Sequence, residues 1–113
     1  MSEPISSFKA ISDQTRRQIL DLLRDEKHLS AGSIAKSFPA ISRPAVSKHL
    51  SILRRSNLVK TRRTGREWQY SLNPAPLRQV MDWLSRYQIF WDDQLASFKE
   101  HVESNNENGG ISS

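Results

Sequence analysis

The chain of 113 residues contains no cysteine, which excludes disulfide bonds, thiolate metal ligands and a cysteine nucleophile. Only four glycines are present, and they form no glycine-rich phosphate-binding loop. No apolar run approaches the roughly 18 residues that a membrane span requires. The N-terminus lacks a basic segment followed by an apolar one, so it does not read as a secretory signal peptide. We therefore expect one small domain in the cytoplasm.

Acidic residues are scarce in the first two thirds of the chain. Residues 1–73 contain 14 Lys and Arg against 6 Asp and Glu, whereas residues 74–113 contain 3 against 6. The window from Arg43 to Arg66 holds eight basic residues and no acid. The whole chain has a net charge of +5 and a pI of about 10.0. Such a basic stretch is typical of proteins that bind polyanions.

Capping residues and apolar periodicity predict three helices before residue 40. Ile5 to Ile11 forms a short first helix, and Asp13 is the N-cap of a second helix from Gln14 to about Asp25. The third helix starts near Ser30. It ends at Phe38, because the residue before a proline is disfavoured in the helical conformation.

A fourth predicted helix follows after about four residues. Ser42 can cap it, and Pro44 is tolerated in its first turn. Val46, Leu50 and Leu53 recur at i, i+4 and i+7, which gives this helix one narrow buried stripe. Two helices joined by so short a turn form a helix-turn-helix.

A β-hairpin is predicted directly after this fourth helix. Trp68, Tyr70 and Leu72 alternate with polar residues, so we expect a strand with these three side chains on its buried face. Residues 59–63 are its partner strand, and Thr64-Gly65 supplies the turn. A helix-turn-helix followed by a hairpin is a winged helix.

The last predicted element is a long helix from Leu77 to about Val102, after Pro74 and Pro76. It carries two apolar stripes: one can pack on its own domain, and the other needs a different partner unless both belong to the core of the chain itself. The fold class is therefore mainly α with a small β-hairpin: a winged helix-turn-helix with a long C-terminal helix. The second stripe, whose members are all aromatic, favours a dimer and consists of Trp83, Tyr87 and Phe90.

The outward face of the fourth helix suits the major groove of double-stranded DNA. Its short polar and basic side chains can reach base edges and phosphates. They are Pro44, Ser47, Lys48, Ser51 and Arg55. The hairpin tip adds arginines that can contact the adjacent backbone or enter the minor groove. These are Arg62, Arg63 and Arg66.

The chain resembles the ArsR-type winged-helix transcriptional repressors from Phe8 to Val102. The matching stretches are FKAISDQTRRQIL, LSAGSIAKSF, SRPAVSKHLSILRRSNLV and RTGREWQYSL, of which the third is the most specific. The resemblance implies a homodimer, built on the first and last helices, that binds an inverted-repeat operator. It assigns DNA contact to Ser42, Arg43, Ala45, Ser47, Lys48 and His49.

The apolar pattern and this resemblance together predict the parts of the chain that form the dimer. Residues 1–103 form one DNA-binding and dimerisation domain, and residues 104–113 form a disordered tail. The predicted interface residues are Ile5, Phe8, Trp83, Tyr87, Phe90, Trp91, Leu95 and Phe98.

The sensing sites of metal-responsive family members are missing from the sequence. Where those members carry Cys-x-Cys on the third helix, this chain has Ser30 and Gly32. The last helix has one histidine, His101, and its neighbour Glu100 points in a different direction. We therefore expect no metal and no cofactor. The resemblance is to the non-metal, autorepressor-like subgroup, in which an antagonist protein or a small apolar ligand relieves repression. The last helix's aromatic residues could line such a ligand's pocket.

Three other functions are weighed against this interpretation. An enzyme is disfavoured because the sequence shows no phosphate loop, no metal triad and no plausible Ser/His/Asp cluster on a cleft. A winged-helix protein-interaction module would have an apolar or mixed-charge fourth helix, and it is disfavoured because the charged side chains of this helix are all basic. RNA binding is disfavoured because no aromatic residue is expected to be exposed on the sheet. The remaining alternative is a ligand- or metal-responsive repressor of an efflux or detoxification operon.

Overall fold

The structure, a computed structural model, describes residues 5–94. The first compact unit ends at Val80 and the second begins at Met81. The helices and strands are α1 (Ser7–Ala10), α2 (Gln14–Glu26), β1 (His28–Ser30), α3 (Ala31–Lys36), α4 (Arg43–Arg55), β2 (Val59–Thr64), β3 (Glu67–Leu72) and α5 (Leu77–Ser85). None of the helices within residues 5–94 has the length and apolar character needed to cross a membrane.

Side-chain caps explain where the first four helices begin. Each cap accepts a hydrogen bond from the backbone N–H three residues later, which satisfies a donor that the helix itself leaves free. The predicted caps Asp13 and Ser42 are confirmed, with Asp13 accepting from Arg16 and Ser42 from Ala45. Ser6 and Ser30 cap α1 and α3 in the same way.

The sheet has three antiparallel strands in the order β1-β3-β2, so the sequence prediction of a two-stranded hairpin was incomplete. β2 and β3 form the predicted hairpin, with Val59 opposite Leu72 and Thr64 opposite Glu67. Gly65 turns the hairpin with a φ of +64°, a conformation that glycine adopts without strain. β1 adds three residues to the other edge of β3.

The core forms where α2, α3 and α4 pack on the sheet. The predicted stripe of α4 is confirmed, because Val46, Leu50 and Leu53 are all buried. The core also includes Ala10, Ile19, Leu20, Leu23, Ile34, Leu58 and Val59. α3 and α4 are separated by residues 37–42, so the predicted helix-turn-helix is present.

The prediction that Trp68 belongs to the buried face of β3 was wrong, and so was the expectation that the sheet exposes no aromatic residue. Tyr70 and Leu72 pack against the core, but 43% of Trp68 is exposed. The alternation was read correctly, since all three side chains share one face of the strand. Trp68 is the member of this face nearest the hairpin turn, however, where it lies opposite Arg63 and under Arg54 and does not pack against the core.

The predicted uninterrupted helix from Leu77 to Val102 was also wrong. α5 ends at Ser85, Arg86 and Tyr87 form a turn, and helix resumes over residues 88–94. The rest of that predicted helix, and the predicted tail at 104–113, lie outside the described residues.

Asp13 yields a stability prediction. Its carboxylate accepts from the Arg16 N–H, and this hydrogen bond lowers the pKa of Asp13 below its ordinary value. We expect Asp13→Ala to reduce the free energy of unfolding by about 1 kcal/mol at pH 7. A depressed carboxyl pKa contributes stability above the unfolded-state value, so the loss should shrink as the pH falls below about 4.

Urea unfolding of wild type and variant at pH 7 and pH 3, at one protein concentration, measures this difference. Asp25→Ala is the control, because Asp25 is an exposed partner of Arg24 and such pairs contribute little. Equal losses for the two variants at pH 7 would show that Asp13 is not an important cap.

Candidate nucleic-acid interface

The exposed face of α4 carries most of the residues predicted to contact DNA. Opposite the buried stripe, the helix presents short polar, basic and apolar side chains to solvent and no acidic one. The exposed members of the predicted set are Ser42, Arg43, Pro44, Ser47, Lys48, Ser51 and Arg55. A helix with small side chains at its centre and cations at both ends can approach a polyanionic groove closely.

The N-terminal turn of α4 is held in place by local bonds. Ser42 Oγ accepts from the Ala45 N–H at 3.2 Å, and Pro44 lies in the first turn, where no intrahelical donor is needed. Ala45 is half-buried, while the turn around it is exposed. The N-terminal end of a helix is also the positive end of its dipole, which favours an anion there.

His49, assigned to DNA contact by the resemblance, is directed toward α2. Its Nδ1 lies 3.2 Å from Nη1 of Arg16 and 3.8 Å from Oδ2 of Asp13, and 19% of its side chain is exposed. Because arginine only donates, Nδ1 accepts in the contact with Arg16. DNA contact by His49 stays a prediction, and the observed contacts connect α4 to α2.

Arg16 joins three helices, a role that the sequence interpretation missed. The residue is buried, Nε donates to the Ala10 carbonyl at 2.7 Å, and Nη2 donates to the Lys9 carbonyl at 3.2 Å. With the His49 contact, one guanidinium thus links the end of α1, α2 and α4. A signal was present, because Arg16 precedes Ile19 and Leu20 at helical spacing and so lies on the buried face of α2.

The hairpin of β2 and β3 is the wing of the predicted winged helix. Its register places the predicted arginines of the wing on different faces of the sheet. Arg62 lies opposite Gln69 and Arg63 opposite Trp68, so the two neighbouring arginines project from opposite faces of the sheet. Arg66 is exposed at the turn. The sequence interpretation treated the wing arginines as one group, whereas the structure gives Arg62 and Arg63 different surroundings.

Arg62 belongs to the outer face of the sheet, which is open and basic. An open depression of about 300 Å³ there is lined by His28, Arg62, Thr64, Gln69 and Ser71. Lys60, two residues before Arg62, lies on the same face and lines the adjoining depression.

Arg63 belongs to the face that carries Trp68. Its Nε donates to the Gly65 carbonyl at 3.2 Å, and its guanidinium carbon lies 5.5 Å from the centroid of the Trp68 ring. Arg54, in the last turn of α4, lies over the same ring at 5.9 Å. Arg54 was not among the predicted DNA contacts, yet this ring joins α4 to the wing.

The second unit presents aromatic side chains that belong to the predicted dimer interface. Trp83 and Tyr87 pack edge to face with centroids 5.4 Å apart, and Tyr87 lies 6.5 Å from Phe90. We call these three residues the aromatic row. All three side chains are exposed, and Phe90 is the most exposed at 66%. Trp91 is exposed as well. Leu95 and Phe98 lie outside the described residues.

The other predicted interface residues lie in the first unit. Ile5 is half-buried, and its N–H donates to the Arg55 carbonyl at 3.3 Å. Phe8, on α1, is 38% exposed.

Residues 5–94 contain no group of three or more His, Asp or Glu side chains placed to share a metal ion. Ser30, which the resemblance aligns with a cysteine of metal-responsive family members, caps α3 and hydrogen-bonds with Ser33. Hydroxyl groups are poor ligands for the soft metals that such thiolates hold.

Comparison with known proteins identifies the family. The profile described as "Bacterial regulatory protein, arsR family" matches residues 13–61. The transcriptional repressor SdpR of Bacillus subtilis is 44% identical over 88 residues, which cover 78% of this chain and 96% of SdpR. The transcriptional regulator Rv2034 of Mycobacterium tuberculosis is 35% identical over 89% of this chain and 90% of its own length.

A solved structure agrees in fold. The ArsR-like transcriptional regulator from Rhodococcus sp. RHA1 superposes with a TM-score of 0.64 and 40% identity, covering 86% of this chain and 87% of that one. The three-stranded sheet, the helix-turn-helix and the basic face of α4 fit this assignment. The chain therefore belongs to the arsR family of bacterial regulatory proteins, which are DNA-binding transcriptional regulators and not enzymes.

Proposed function

We propose that this chain represses transcription as a cytoplasmic homodimer bound to an inverted-repeat operator, without sensing a metal ion. One observation carries the proposal: α4 is the second helix of the helix-turn-helix and presents an exposed face with basic side chains and no acid. Exposed Ser47 and Ser51 allow close approach to base edges, while Lys48 and Arg43 can contact bases or phosphates.

The homodimer is supported by the aromatic row. Soluble monomers rarely expose contiguous aromatic surface, and an interface core is enriched in Trp, Tyr and Phe. A second copy of the chain presents the same row, and two-fold symmetry would pair the rows with each other. A two-fold dimer in turn calls for an operator with two inverted half-sites.

Relief of repression is proposed to come from a small apolar ligand, an antagonist protein or a fall in the concentration of the repressor itself. The aromatic row is the surface with the chemistry to hold an apolar ligand. We retain residues 1–103 as the proposed DNA-binding and dimerisation domain.

Competition between nucleic acids tests the function. A labelled DNA duplex of about 30 base pairs, bound to the purified chain, is displaced with unlabelled DNA or RNA duplexes of equal length. Because the A-form major groove is too deep and narrow for α4, we expect DNA to compete at least about tenfold better. Equal competition by RNA would contradict a DNA-reading function.

The same complex tests metal sensing. Titration with zinc, nickel, cadmium or arsenite, followed by fluorescence anisotropy against a chelator control, should release no DNA at low micromolar concentrations. The reason is that the chain has no cysteine to supply a thiolate ligand, and residues 5–94 contain no cluster of side chains that could hold a metal ion. Release that His101→Ala abolishes would show that the second unit senses metal.

A further inference from the structure

Trp68 is an exposed tryptophan with no role in the core. It lies near the tip of the hairpin, while Tyr70, two residues later on the same face of β3, packs against the core. Leaving 43% of a tryptophan in water forgoes much of the stabilisation that its burial provides. Burial in the core therefore does not account for a tryptophan at this position.

Two arginines from different elements lie over this one ring. Arg54 comes from the last turn of α4 and Arg63 from β2, at 5.9 Å and 5.5 Å from the ring centroid. Both distances fall within the range of a cation–π contact, and an arginine over an aromatic face is the common form of that contact. The Trp68 ring thus contacts one cationic side chain from α4 and one from the hairpin.

Neither guanidinium is neutralised by a carboxylate in the part of the chain that the structure describes. The ion pairs within residues 5–94 involve Arg24 and His49. Arg63 uses Nε for the Gly65 carbonyl, which fixes the orientation of the group. The N–H groups of its two terminal nitrogens remain available as hydrogen-bond donors. Planar donors of this kind match the oxygens of a phosphate.

We propose that Trp68 is a positioning residue for DNA binding, which holds Arg54 and Arg63 in place to contact backbone phosphates beside the groove that α4 enters. This proposal rests on the proposed DNA-binding function. A free arginine loses side-chain entropy when it is fixed on a phosphate. Stacking on the ring restricts both side chains before DNA arrives, so less entropy is lost on binding.

The inference also separates the two neighbouring wing arginines. Arg63 shares a ring with α4, whereas Arg62 lies on the outer face of the sheet. Arg63 and Arg54 are therefore expected to act as one unit with Trp68, and Arg62 independently of it.

Binding of a mixed-sequence duplex of about 30 base pairs tests the proposal, because phosphate contacts do not depend on the operator. We expect Trp68→Leu to raise Kd about five- to tenfold, because without the ring the two arginine side chains become ordered only when DNA binds. Trp68→Phe keeps an aromatic face and should remain within about threefold of wild type. In an Arg54→Ala/Arg63→Ala background, Trp68→Leu should change Kd by less than about twofold.

Two results would overturn the proposal. One is an unchanged Kd for Trp68→Leu. The other is an equal loss in the background that lacks both arginines, which would mean that the ring contacts DNA itself or supports the fold. Thermal unfolding of each variant shows whether folding is intact. If the wild type shows no salt-dependent binding to duplex DNA, the proposed function fails, not this inference alone.

Discussion

Raising the salt concentration from 50 to 200 mM is expected to weaken binding to duplex DNA about a thousandfold. A protein that neutralises about six phosphates releases the ions condensed on them, and this release becomes less favourable as salt rises. Eight basic residues lie between Arg43 and Arg66, and most of them are exposed on α4 and the wing. Anisotropy titrations at four or five salt concentrations give the slope of log K against log salt.

Wing variants show which cations produce this slope. Arg62→Ala with Arg63→Ala should flatten it by up to about two units and weaken binding to all sequences alike. Arg24→Ala is a matched control, since Arg24 is exposed on α2 and already paired with Asp21 and Asp25. An unchanged slope in the double variant would remove the wing from the contact surface.

Phe90→Glu is expected to convert the dimer into monomers or aggregates. Phe90 is 66% exposed at the end of the aromatic row, and an unpaired carboxylate there would be buried in the dimer that we propose. Sedimentation equilibrium at micromolar concentration should show a dimer for the wild type and no dimer for the variant. Loss of the dimer should also lower operator affinity, because a monomer contacts one half-site.

Gln79→Glu is the control for added charge. Gln79 is an exposed polar residue of α5, so the same carboxylate there should leave the dimer intact. A wild-type chain that stays monomeric at micromolar concentration would contradict the proposed assembly.

The helices of the first unit could be predicted because their signals are local. Asp13 and Ser42 are side-chain caps, and a cap depends only on the residues of the next turn. The stripe of α4 follows from the helical repeat alone. The exposed basic face, which is the candidate site, followed from that stripe.

Features that depend on distant partners could not be predicted in the same way. β1 has three residues, too few to show a strand period, and it exists through pairing with β3. Arg16 and His49 are 33 residues apart, and nothing in the sequence connects them. The exposure of Trp68 depends on which side chains of other elements reach the end of the hairpin. The turn at Arg86 and Tyr87 contains neither glycine nor proline, so no helix-breaking residue marks it.

Selection of DNA by the purified chain tests the central claim most directly. Duplexes with a random central region are bound, recovered and sequenced over several rounds, with a Ser47→Ala/Lys48→Ala variant as the control for reading by α4. We predict enrichment of an inverted repeat whose half-sites lie about one helical turn apart, or a multiple of it, and loss of that enrichment in the variant. Recovery of no repeated motif by the wild type, or of the same motif by the variant, would contradict a dimeric repressor that reads its operator through α4.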